Sequence, residues 1–387
     1  MAKEEKKAPK LRFNGYTNDW ERKKLGIYVP ITMGQSPNSK NYTNNPRDNI
    51  LVQGNADLYN NRVLKRTFTT EVTKIADRND ILISVRAPVG DIARNQYESI
   101  VIGRGIAAIK GNNFLYYQLE KMNNSGFWKK YIAGSTFESI TGKDLKSSDI
   151  YISNHKEEKS IGDIFQTLTK TIQLHEDHLQ FLHSFKSFLL QKMFFDNDIP
   201  SLLRFNKFTE KWNQCKLNDH TIVTMGQSPN SKNYTNNQTG KILVQGNADL
   251  YKNKILKRVF TTEVTKTAVK NDILISVRAP VGDIARNQYE SVVIGRGIAS
   301  IKGNDFLYYQ LEKMKNNGFW NKYIAGSTFE SITGKDLKNT KIYTTNSDEE
   351  RKIGNIFSSL TKIIQLQEHK IDSLKKLKQF LLQNMFI

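Results

Sequence analysis

Two spacings of apolar residues divide the chain into two kinds of segment. Over residues 11–153 and 203–346, short β-branched and apolar runs alternate with turns rich in glycine, asparagine and proline. This alternation predicts short strands joined by loops, with residues 80–86 as the clearest strand. Residues 113–122 carry aromatic and long aliphatic side chains without a turn residue and predict a short helix. Both of the longer ranges are therefore predicted to be compact mixed α/β domains.

Residues 154–195 and 347–387 follow a different pattern, in which apolar residues recur three and four positions apart. This spacing predicts a long helix with a coiled-coil seam, at about 156–194 in the first case and 348–386 in the second. The predicted seam positions are Phe165, Leu168, Ile172, His175, Leu179, Leu182, Lys186, Leu189 and Met193, and Phe357, Leu360, Ile364, Gln367, Ile371, Leu374, Lys378, Leu381 and Met385. The two helices are expected to pair with each other in antiparallel orientation.

The whole arrangement occurs twice, 192 residues apart, starting at Leu11 and Leu203. Residues 32–45 are identical to residues 224–237, and 17 of the 115 positions over residues 32–146 differ from their counterparts. A period of this length indicates a duplicated domain rather than a solenoid repeat. The predicted fold class is α/β: two similar mixed α/β domains joined by two long antiparallel coiled-coil helices, related by a pseudo-twofold internal repeat. Doubling a binding unit raises its effective concentration on a shared ligand, although a recent duplication without functional consequence is the alternative.

The charge of the chain gives the first indication of function. It has 58 Lys and Arg against 38 Asp and Glu, a net charge of +20 at pH 7 and a pI near 9.6. This excess favours a polyanionic partner such as DNA, RNA or an anionic membrane surface. A hydrophobic fraction of 38% excludes a disordered basic tail. No apolar run approaches the roughly 18 residues of a membrane span, and the first residues are charged, so a cytoplasmic protein is expected.

One polar loop in each copy carries side chains suited to reading base edges and holding phosphates. Glutamine and asparagine can bind base edges, serine and lysine can bind phosphates, and tyrosine can stack or bind the backbone. The candidate DNA-binding residues are Gln35, Ser36, Asn38, Ser39, Lys40, Asn41 and Tyr42, with Gln227, Ser228, Asn230, Ser231, Lys232, Asn233 and Tyr234 in the second copy. The alternative is an ordinary polar surface loop.

Two arginines in each copy are further candidates. Arg86 ends the clearest predicted strand, and Arg104 lies between two glycines that allow the backbone to approach a ligand closely. Arginine is the usual bidentate partner of guanine, so Arg86, Arg104, Arg278 and Arg296 are predicted to contact DNA. The alternative for Arg86 is an ion pair with a local carboxylate such as Asp91.

A segment rich in hydroxyl groups supplies the last candidates. Thr136 and Lys143, with Thr328 and Lys335 in the second copy, offer a hydroxyl or an ammonium group to phosphates. The competing interpretation is a helix N-cap in which a serine or threonine precedes Glu138 in a capping box, and both interpretations are compatible.

Catalytic chemistry is not indicated by the residues. Cys215 is the only cysteine, which excludes an intrachain disulfide and a cysteine-based zinc site. The histidines of the first predicted long helix lack a spaced set of carboxylates, so no metal site is expected. The sequence contains no phosphate-binding loop, no nucleophile with a paired base and no adenine-methylation motif. We therefore predict a binding protein whose partners carry out any reaction.

The sequence resembles the specificity subunits of type I restriction-modification systems. Residues 9–20 and 200–212, each with Leu-Arg-Phe followed by a tryptophan, resemble the segment that leads into each target recognition domain of that family. The helical segments, with Ile-Gly near their start and Phe-Leu-Leu-Gln-x-Met-Phe at residues 188–194 and 380–386, resemble its two helical regions. The resemblance identifies residues 11–153 and 203–346 as target recognition domains and residues 154–195 and 347–387 as the central and C-terminal spacer helices.

The resemblance implies a non-catalytic subunit in which each recognition domain reads half of a bipartite DNA site. Two modification subunits would dock on the helices and methylate adenine with S-adenosylmethionine, and a restriction subunit would add cleavage that uses ATP and Mg²⁺. Family members commonly carry two different recognition domains, whereas the two domains here are nearly the same. The simplest expectation is therefore one half-site and its inverted repeat. A free-standing two-headed DNA-binding regulator or architectural protein is the main alternative, and an RNA-binding protein is a weaker one.

Overall fold

The computed structural model describes residues 8–132, 139–195, 201–323 and 331–387. These residues belong to two compact units, one made of residues up to 176 together with residues 369–387, and the other of residues 177–368. Each unit contains one of the predicted α/β domains and a part of both long helices. The sequence-based boundaries separate domains from helices, whereas these units cut across both helices.

The first unit contains strands β1 to β13, helices α1 to α4 and the first part of α5, together with the end of the second long helix. The strands are β1 Glu21–Lys24, β2 Ile31–Met33, β3 Tyr42–Thr43, β4 Asn49–Val52, β5 Leu58–Tyr59, β6 Arg62–Val63, β7 Thr67–Thr69, β8 Ile75–Asp77, β9 Ile81–Ser84, β10 Ile92–Arg94, β11 Ser99–Ile102, β12 Ile106–Ile109 and β13 Asp149–Ile152. The helices are α1 Leu25–Tyr28, α2 Asn113–Asn124, α3 Lys129–Ile132, α4 Gly142–Ser147 and α5 His155–Met193. The sheet orders are β2-β12-β9-β10-β6-β5, β3-β7-β4-β11-β8 and β1-β13.

Strand β9 explains how the layers of the first unit pack. Side chains alternate between the two faces of a strand, and those of β9 are buried on both faces. Leu82 lies in a core between the two larger sheets, whereas Ile81 and Ile83 lie in a second core with α2 and the long helices. The predicted strand at residues 80–86 and the predicted helix at residues 113–122 are therefore both confirmed.

The second unit repeats this architecture with strands β14 to β26 and helices α6 to α9. The strands are β14 Asn213–Lys216, β15 Val223–Met225, β16 Tyr234–Thr235, β17 Lys241–Val244, β18 Leu250–Tyr251, β19 Lys254–Ile255, β20 Val259–Thr261, β21 Thr267–Val269, β22 Ile273–Ser276, β23 Ile284–Arg286, β24 Ser291–Ile294, β25 Ile298–Ile301 and β26 Lys341–Thr344. The helices are α6 Leu217–His220, α7 Asp305–Asn316, α8 Gly334–Lys338 and α9 Ser347–Met385. The sheet orders are β15-β25-β22-β23, β16-β20-β17-β24-β21, β14-β26 and β18-β19.

Both long helices begin after a capping asparagine. The Asn154 side-chain oxygen accepts a hydrogen bond from the Glu157 N–H at 3.0 Å, and that of Asn346 accepts one from the Asp348 N–H at 2.8 Å. These bonds satisfy N–H groups that have no partner within the helix, and acidic residues in the first turn favour the same end. The predicted helices are confirmed to within one residue at either end. None of the described helices is both long and apolar enough to cross a membrane.

The seam of the first unit joins the beginning of α5 to the end of α9. The ring centroids of Phe165 and Phe386 are 5.5 Å apart, and Glu176 forms an ion pair with Lys375 at 2.6 Å. Residue numbers rise along one helix as they fall along the other, so the two segments are antiparallel.

The seam of the second unit joins the end of α5 to the beginning of α9 in the same way. The ring centroids of Phe194 and Phe357 are 5.6 Å apart, and Leu182 packs in one cluster with Leu360. Every predicted seam position in either unit is buried or half-buried. The predicted α/β fold with two similar domains and two long antiparallel helices is thus confirmed.

Two lysines interrupt the apolar seam, and each is neutralised by a glutamate. The Lys378 ammonium group lies 2.8 Å from the Glu120 carboxylate of α2, and the Lys186 ammonium group lies 2.8 Å from the Glu312 carboxylate of α7. Both lysines are buried. A buried charge must be paired, so these two positions hold the long helices to the α/β domains by electrostatics as well as by packing.

Candidate nucleic-acid interface

The candidate loop of the first unit is held against the turn that contains Arg104. The Gly34 N–H donates to the Ile106 carbonyl at 2.9 Å, and the Ser36 hydroxyl oxygen accepts from the Arg104 N–H at 3.1 Å. A β-carbon at Gly34 would lie 2.2 Å from the Gly103 carbonyl oxygen, so only glycine fits. The loop and the turn therefore form one surface, as the candidate residues require.

Internal hydrogen bonds fix the conformation of this loop. The Asn38 side-chain oxygen caps a short 3-10 turn by accepting from the Lys40 N–H at 3.2 Å. The Glu71 carboxylate accepts from the Asn38 N–H and from the Asn41 side-chain amide, both at 2.7 Å. The Tyr42 hydroxyl donates to the Pro37 carbonyl at 3.3 Å. Part of the predicted DNA-binding set thus shapes the loop.

Three exposed side chains of the loop, those of Gln35, Ser39 and Lys40, take no part in these bonds, whereas the exposed Asn38 does. Within the described residues none of the three has a side-chain hydrogen-bond or ion-pair partner. They are the loop residues available to a ligand, and they have the chemistry for a base edge and for phosphates.

Arg86 lies beside the same turn. The Val85 N–H donates to the Gly105 carbonyl at 2.9 Å, and the Ile140 N–H donates to the Val85 carbonyl at 2.9 Å. The backbone of Val85, just after β9, is therefore bonded on one side to the glycine turn and on the other to the segment that precedes α4. Arg86 and Arg104 are both exposed, so their guanidinium groups are accessible at this edge of the domain.

The predicted alternative for Arg86, an ion pair with Asp91, is wrong. In the described residues neither Arg86 nor Arg104 forms an ion pair with a carboxylate. Asp91 instead accepts a hydrogen bond from the Asn123 side chain at 3.2 Å, and its counterpart Asp283 pairs with Lys315. These partners come from α2 and α7.

The segment before α4 is described only in part. Thr136 and Thr328 lie outside the described residues, as does Glu138 of the suggested capping box. A capping box is present three residues beyond Glu138, where the Thr141 side chain accepts from the Asp144 N–H at 3.2 Å. Lys143 and Lys335 are exposed in the first turns of α4 and α8. A cation is unfavourable at the positive end of a helix, so helix stability does not account for these lysines.

Gln53 and Glu71 belong to the interface although the sequence reasoning missed them. The Gly105 N–H donates to the Gln53 carbonyl at 3.1 Å, and the Tyr42 hydroxyl lies 3.3 Å from the Gln53 side-chain oxygen. Gln53 enters the surface because β4 pairs in parallel with β11, a tertiary contact. Both copies contain these residues, but so much of the domain is duplicated that identity alone did not distinguish them.

The second unit reproduces the interface. The Arg296 N–H donates to the Ser228 hydroxyl at 3.1 Å, and the Glu263 carboxylate accepts from the Asn230 N–H and the Asn233 side-chain amide, both at 2.7 Å. Gln227, Ser231 and Lys232 are again exposed and take no part in these bonds, and Arg278 and Arg296 are exposed as in the first unit. None of the 17 differing positions is a candidate residue.

The chain belongs to the family whose model is described as the type I restriction modification DNA specificity domain. That model matches residues 17–183 and again residues 209–376, which together make up most of the chain. The two matches correspond to the two copies of the repeat.

Two curated relatives come from Methanocaldococcus jannaschii and carry the names of type I restriction enzyme specificity subunits. The MjaX subunit is 35% identical over 183 residues, which are 44% of this chain and 41% of that protein. The MjaIX subunit is 27% identical over 126 residues, which are 30% of this chain and 28% of that protein. The matched region thus spans less than half of either relative.

Solved structures share the fold over nearly the whole chain. The crystal structure of a type I restriction-modification S subunit from M. genitalium aligns with a TM-score of 0.70 and 17% identity, covering 98% of this chain and 99% of that one. A chain from a structure on complex assembly and conformational transition of a type I restriction-modification system aligns with a TM-score of 0.58 and 20% identity, covering 95% and 97%. At these identities the likeness establishes the fold alone.

Proposed function

We propose that the chain is the DNA-recognition subunit of a type I restriction-modification complex, with one half of a bipartite site read by each unit. The observation that carries this proposal is the duplicated surface in which a loop fixed by internal hydrogen bonds presents exposed glutamine, serine and lysine side chains beside two exposed arginines. A loop that is ordered before binding loses less entropy on contact with DNA, which favours specific recognition. The net charge of +20 supplies the attraction to phosphates.

The candidate residues divide into two groups by chemistry. Arg86, Arg104 and Gln35 have the donors and acceptors that distinguish base edges in the major groove. Lys40 and Lys143 are flexible point charges suited to phosphates, which position the protein without reading sequence. The same division applies to the counterparts in the second unit.

The identity of the two surfaces supports a symmetric target. Because the candidate residues are the same in both copies, both units are proposed to read the same half-site. Each unit is completed by a helix end from the other copy, as Phe386 packs in the first unit and Phe194 in the second. An inverted rather than a direct repeat is proposed because the sequence predicts a pseudo-twofold relation between the two copies.

The outer faces of the long helices support docking of modification subunits. Phe181, Phe185 and Phe188 of α5 are exposed at spacings of four and three residues, and Phe181 stacks on Phe185 with ring centroids 6.0 Å apart. On α9, Leu377 and Phe380 are exposed to 46% and 55%. Exposed apolar patches of this kind mark protein interaction sites. S-adenosylmethionine, and ATP and Mg²⁺ for restriction, are proposed to be bound by the partner subunits.

The proposal is tested by expressing the chain with the modification subunit gene of its own host in a methylation-free bacterium. Adenine methylation at one bipartite sequence, present only when both genes are expressed, is the expected result. The purified chain with S-adenosylmethionine, ATP and Mg²⁺ should neither methylate nor cut DNA. Methyl transfer by the chain alone would refute the non-catalytic role, and specific DNA binding without any methylation in the co-expressing strain would favour a free-standing regulator.

A further inference from the structure

A negatively charged side chain contacts each of the proposed DNA-reading loops. Glu71 follows β7, and its carboxylate approaches the loop residues Asn38 and Asn41. Glu263 does the same in the second unit. A carboxylate on a surface meant for a polyanion lowers its attraction for DNA, so its presence in both loops calls for a physical reason.

The geometry supplies that reason. In the first unit the backbone N–H of Asn38 and the side-chain amide of Asn41 converge on one oxygen of Glu71 at 2.7 Å each. Two N–H donors that point at one position form an arrangement that also suits a phosphate oxygen. While the carboxylate holds both donors, a DNA phosphate cannot use them.

Two threonines near Glu71 hold its segment in place, one by a bond to the loop and one by a bond within the segment itself. The Thr73 hydroxyl donates to the Gln35 carbonyl, and the Thr69 hydroxyl oxygen accepts from the Glu71 N–H at 3.1 Å. Thr265 and Thr261 repeat both bonds in the second unit. Thr69 thus fixes the Glu71 backbone, and the Glu71 carboxylate binds the Asn38 backbone and the Asn41 side chain on either side of the exposed Ser39 and Lys40.

The charge state agrees with this role. The Asn38 N–H, the Asn41 amide and nearby Lys40 lower the pKa of the Glu71 carboxyl, and the same three kinds of contact lower the pKa of Glu263. Both groups are therefore anions at neutral pH and accept both hydrogen bonds there.

We propose that Glu71 and Glu263 are positioning residues that set the sequence specificity of the two loops. Each carboxylate holds its loop in the conformation that presents Gln35 or Gln227 to a base edge, and it excludes backbone phosphates from the loop donors. This inference rests on the proposed DNA-reading function. It predicts that the two glutamates raise the ratio of specific to non-specific affinity, rather than the affinity for DNA as such.

The test compares full-length variants in complex with the modification subunits. Glu71→Ala with Glu263→Ala removes the acceptor and the charge, whereas Glu71→Gln with Glu263→Gln keeps an oxygen that can accept both bonds and removes only the charge. Glu98→Ala with Glu290→Ala is the matched control, since these carboxylates are 87% and 85% exposed and pair with Arg78 and Lys270. The readout is a ratio of two dissociation constants measured at one salt concentration. It is the Kd for a scrambled duplex divided by the Kd for a duplex with the sequence that the complex methylates.

The alanine pair should lower this ratio by roughly tenfold or more, the effect of losing discrimination at one base pair or more. Its affinity for scrambled DNA should rise, because the freed donors and the lost negative charge both favour phosphates. The glutamine pair should keep affinity for the target and gain affinity for scrambled DNA. The control pair, which removes the same charge elsewhere, should change the ratio much less.

A second readout follows the loop without DNA. Hydrogen exchange at the Asn38 and Asn230 amides of the free full-length chain should accelerate in the alanine pair and not in the control. An unchanged specificity ratio in the alanine pair, with a wild type that prefers its target, would overturn the inference and leave the proposed function intact. A wild type without preference for any duplex would overturn the proposed function instead, and this inference with it.

Discussion

The two units agree at one edge of the domain and differ at the other. At the edge formed by the loop, the glycine turn and the end of β9, the candidate residues are the same, and the bonds of Ser36, Asn38 and Asn41 recur in the second unit. At the opposite end of β9, Ala108 is replaced by Ser300, and Asn113 is replaced by Asp305. The framework of the α/β domains therefore tolerates substitutions that are absent from the candidate residues.

Each substitution is matched by a local change in bonding. The Arg94 guanidinium donates to the Asn113 side-chain oxygen at 3.1 Å, whereas Arg286 forms an ion pair with Asp305 at 2.5 Å. The Ser300 hydroxyl donates to the Asp272 carboxylate at 2.9 Å, and alanine at position 108 has no such donor. The comparison teaches that hydrogen bonds and ion pairs of the framework can change while the residues of the proposed reading surface stay the same.

The largest effect is expected from breaking the buried ion pair between an arginine and a glutamate that both units contain. Arg12→Ala should lower the free energy of unfolding of the first unit by roughly 3–5 kcal/mol, because it leaves the fully buried Glu157 carboxylate without its cation. The Arg12 guanidinium lies 2.6 Å from that carboxylate. Arg204→Ala should do the same to the second unit through Glu349. Hydrogen exchange of β9 and β22 in the full chain measures the two units separately, and equal effects on both strands in one variant would contradict the pairing.

This ion pair also predicts a dependence on pH. Burial by itself raises the pKa of Glu157, but hydrogen bonds from Arg12 and Ser153 outweigh it and lower the pKa. A carboxyl with a lowered pKa contributes stability above its ordinary pKa and loses it as the pH falls through the lowered value. The loss of stability on acidification should therefore be smaller in Arg12→Ala than in the wild type, as followed by denaturant unfolding between neutral and acidic pH.

The buried lysine of each seam is expected to have the next largest effect. Lys378→Met should cost roughly 2–4 kcal/mol, since it leaves the half-buried Glu120 without a partner. Combining it with Glu120→Gln should restore most of that loss, because no unpaired charge then remains. Denaturant unfolding of the single and double variants measures the difference. A double variant as unstable as the single one would mean that packing rather than charge holds this position.

Substitutions at the reading surface should spare stability and change binding. Arg86→Ala with Arg278→Ala should cost about 1–3 kcal/mol of binding per half-site and relax the sequence preference, as expected for the loss of one base contact in each unit. Lys40→Ala with Lys232→Ala should instead flatten the salt dependence of binding without changing the preferred sequence. Binding to target and scrambled duplexes at several salt concentrations distinguishes the two. Equal losses on both duplexes for the arginine pair would contradict our assignment.

The smallest effect is expected when the residues that differ at positions 108 and 300 are exchanged between the two units. Burial raises the pKa of Asp80, and a serine at position 108 would offer its carboxylate the hydrogen bond that Ser300 gives Asp272. Ala108→Ser should add about 1 kcal/mol of stability at neutral pH, and Ser300→Ala should remove a similar amount. Because the pKa of Asp80 is raised, its ionised form destabilises the fold above that pKa. The stability gained from the serine hydroxyl should therefore shrink when Asp80 is protonated in acid. Unfolding curves at two pH values check this.

Local patterns predicted most of the fold. The spacing of apolar residues located α5 and α9 to within one residue, and it located the seam, including the polar positions at Lys186 and Lys378. Their partners Glu312 and Glu120 were not predicted, because the contacts join residues more than a hundred positions apart. The order of strands in the sheets was not predicted for the same reason.

The residue types of the candidate surface were predicted, but the tertiary contacts that hold it together were not. The loop, Arg86 and Arg104 were chosen by residue type, and the structure brings them to one edge. Gln53 and Glu71 reach that edge only through the pairing of β4 with β11 and the return of the chain after β7. A carboxylate beside a proposed DNA-reading loop is also not expected from the net charge, which favours cations at such a surface.

The most direct test of the central claim, that both units read the same half-site, is a map of methylated adenines. The chain and its modification subunit, expressed together in a methylation-free strain, should methylate one interrupted palindrome, with half-site centres about one DNA turn apart, near 10 bp. Replacing residues 224–338 with residues 32–146 should leave that sequence unchanged. Two unrelated half-sites in the wild-type map would contradict the claim.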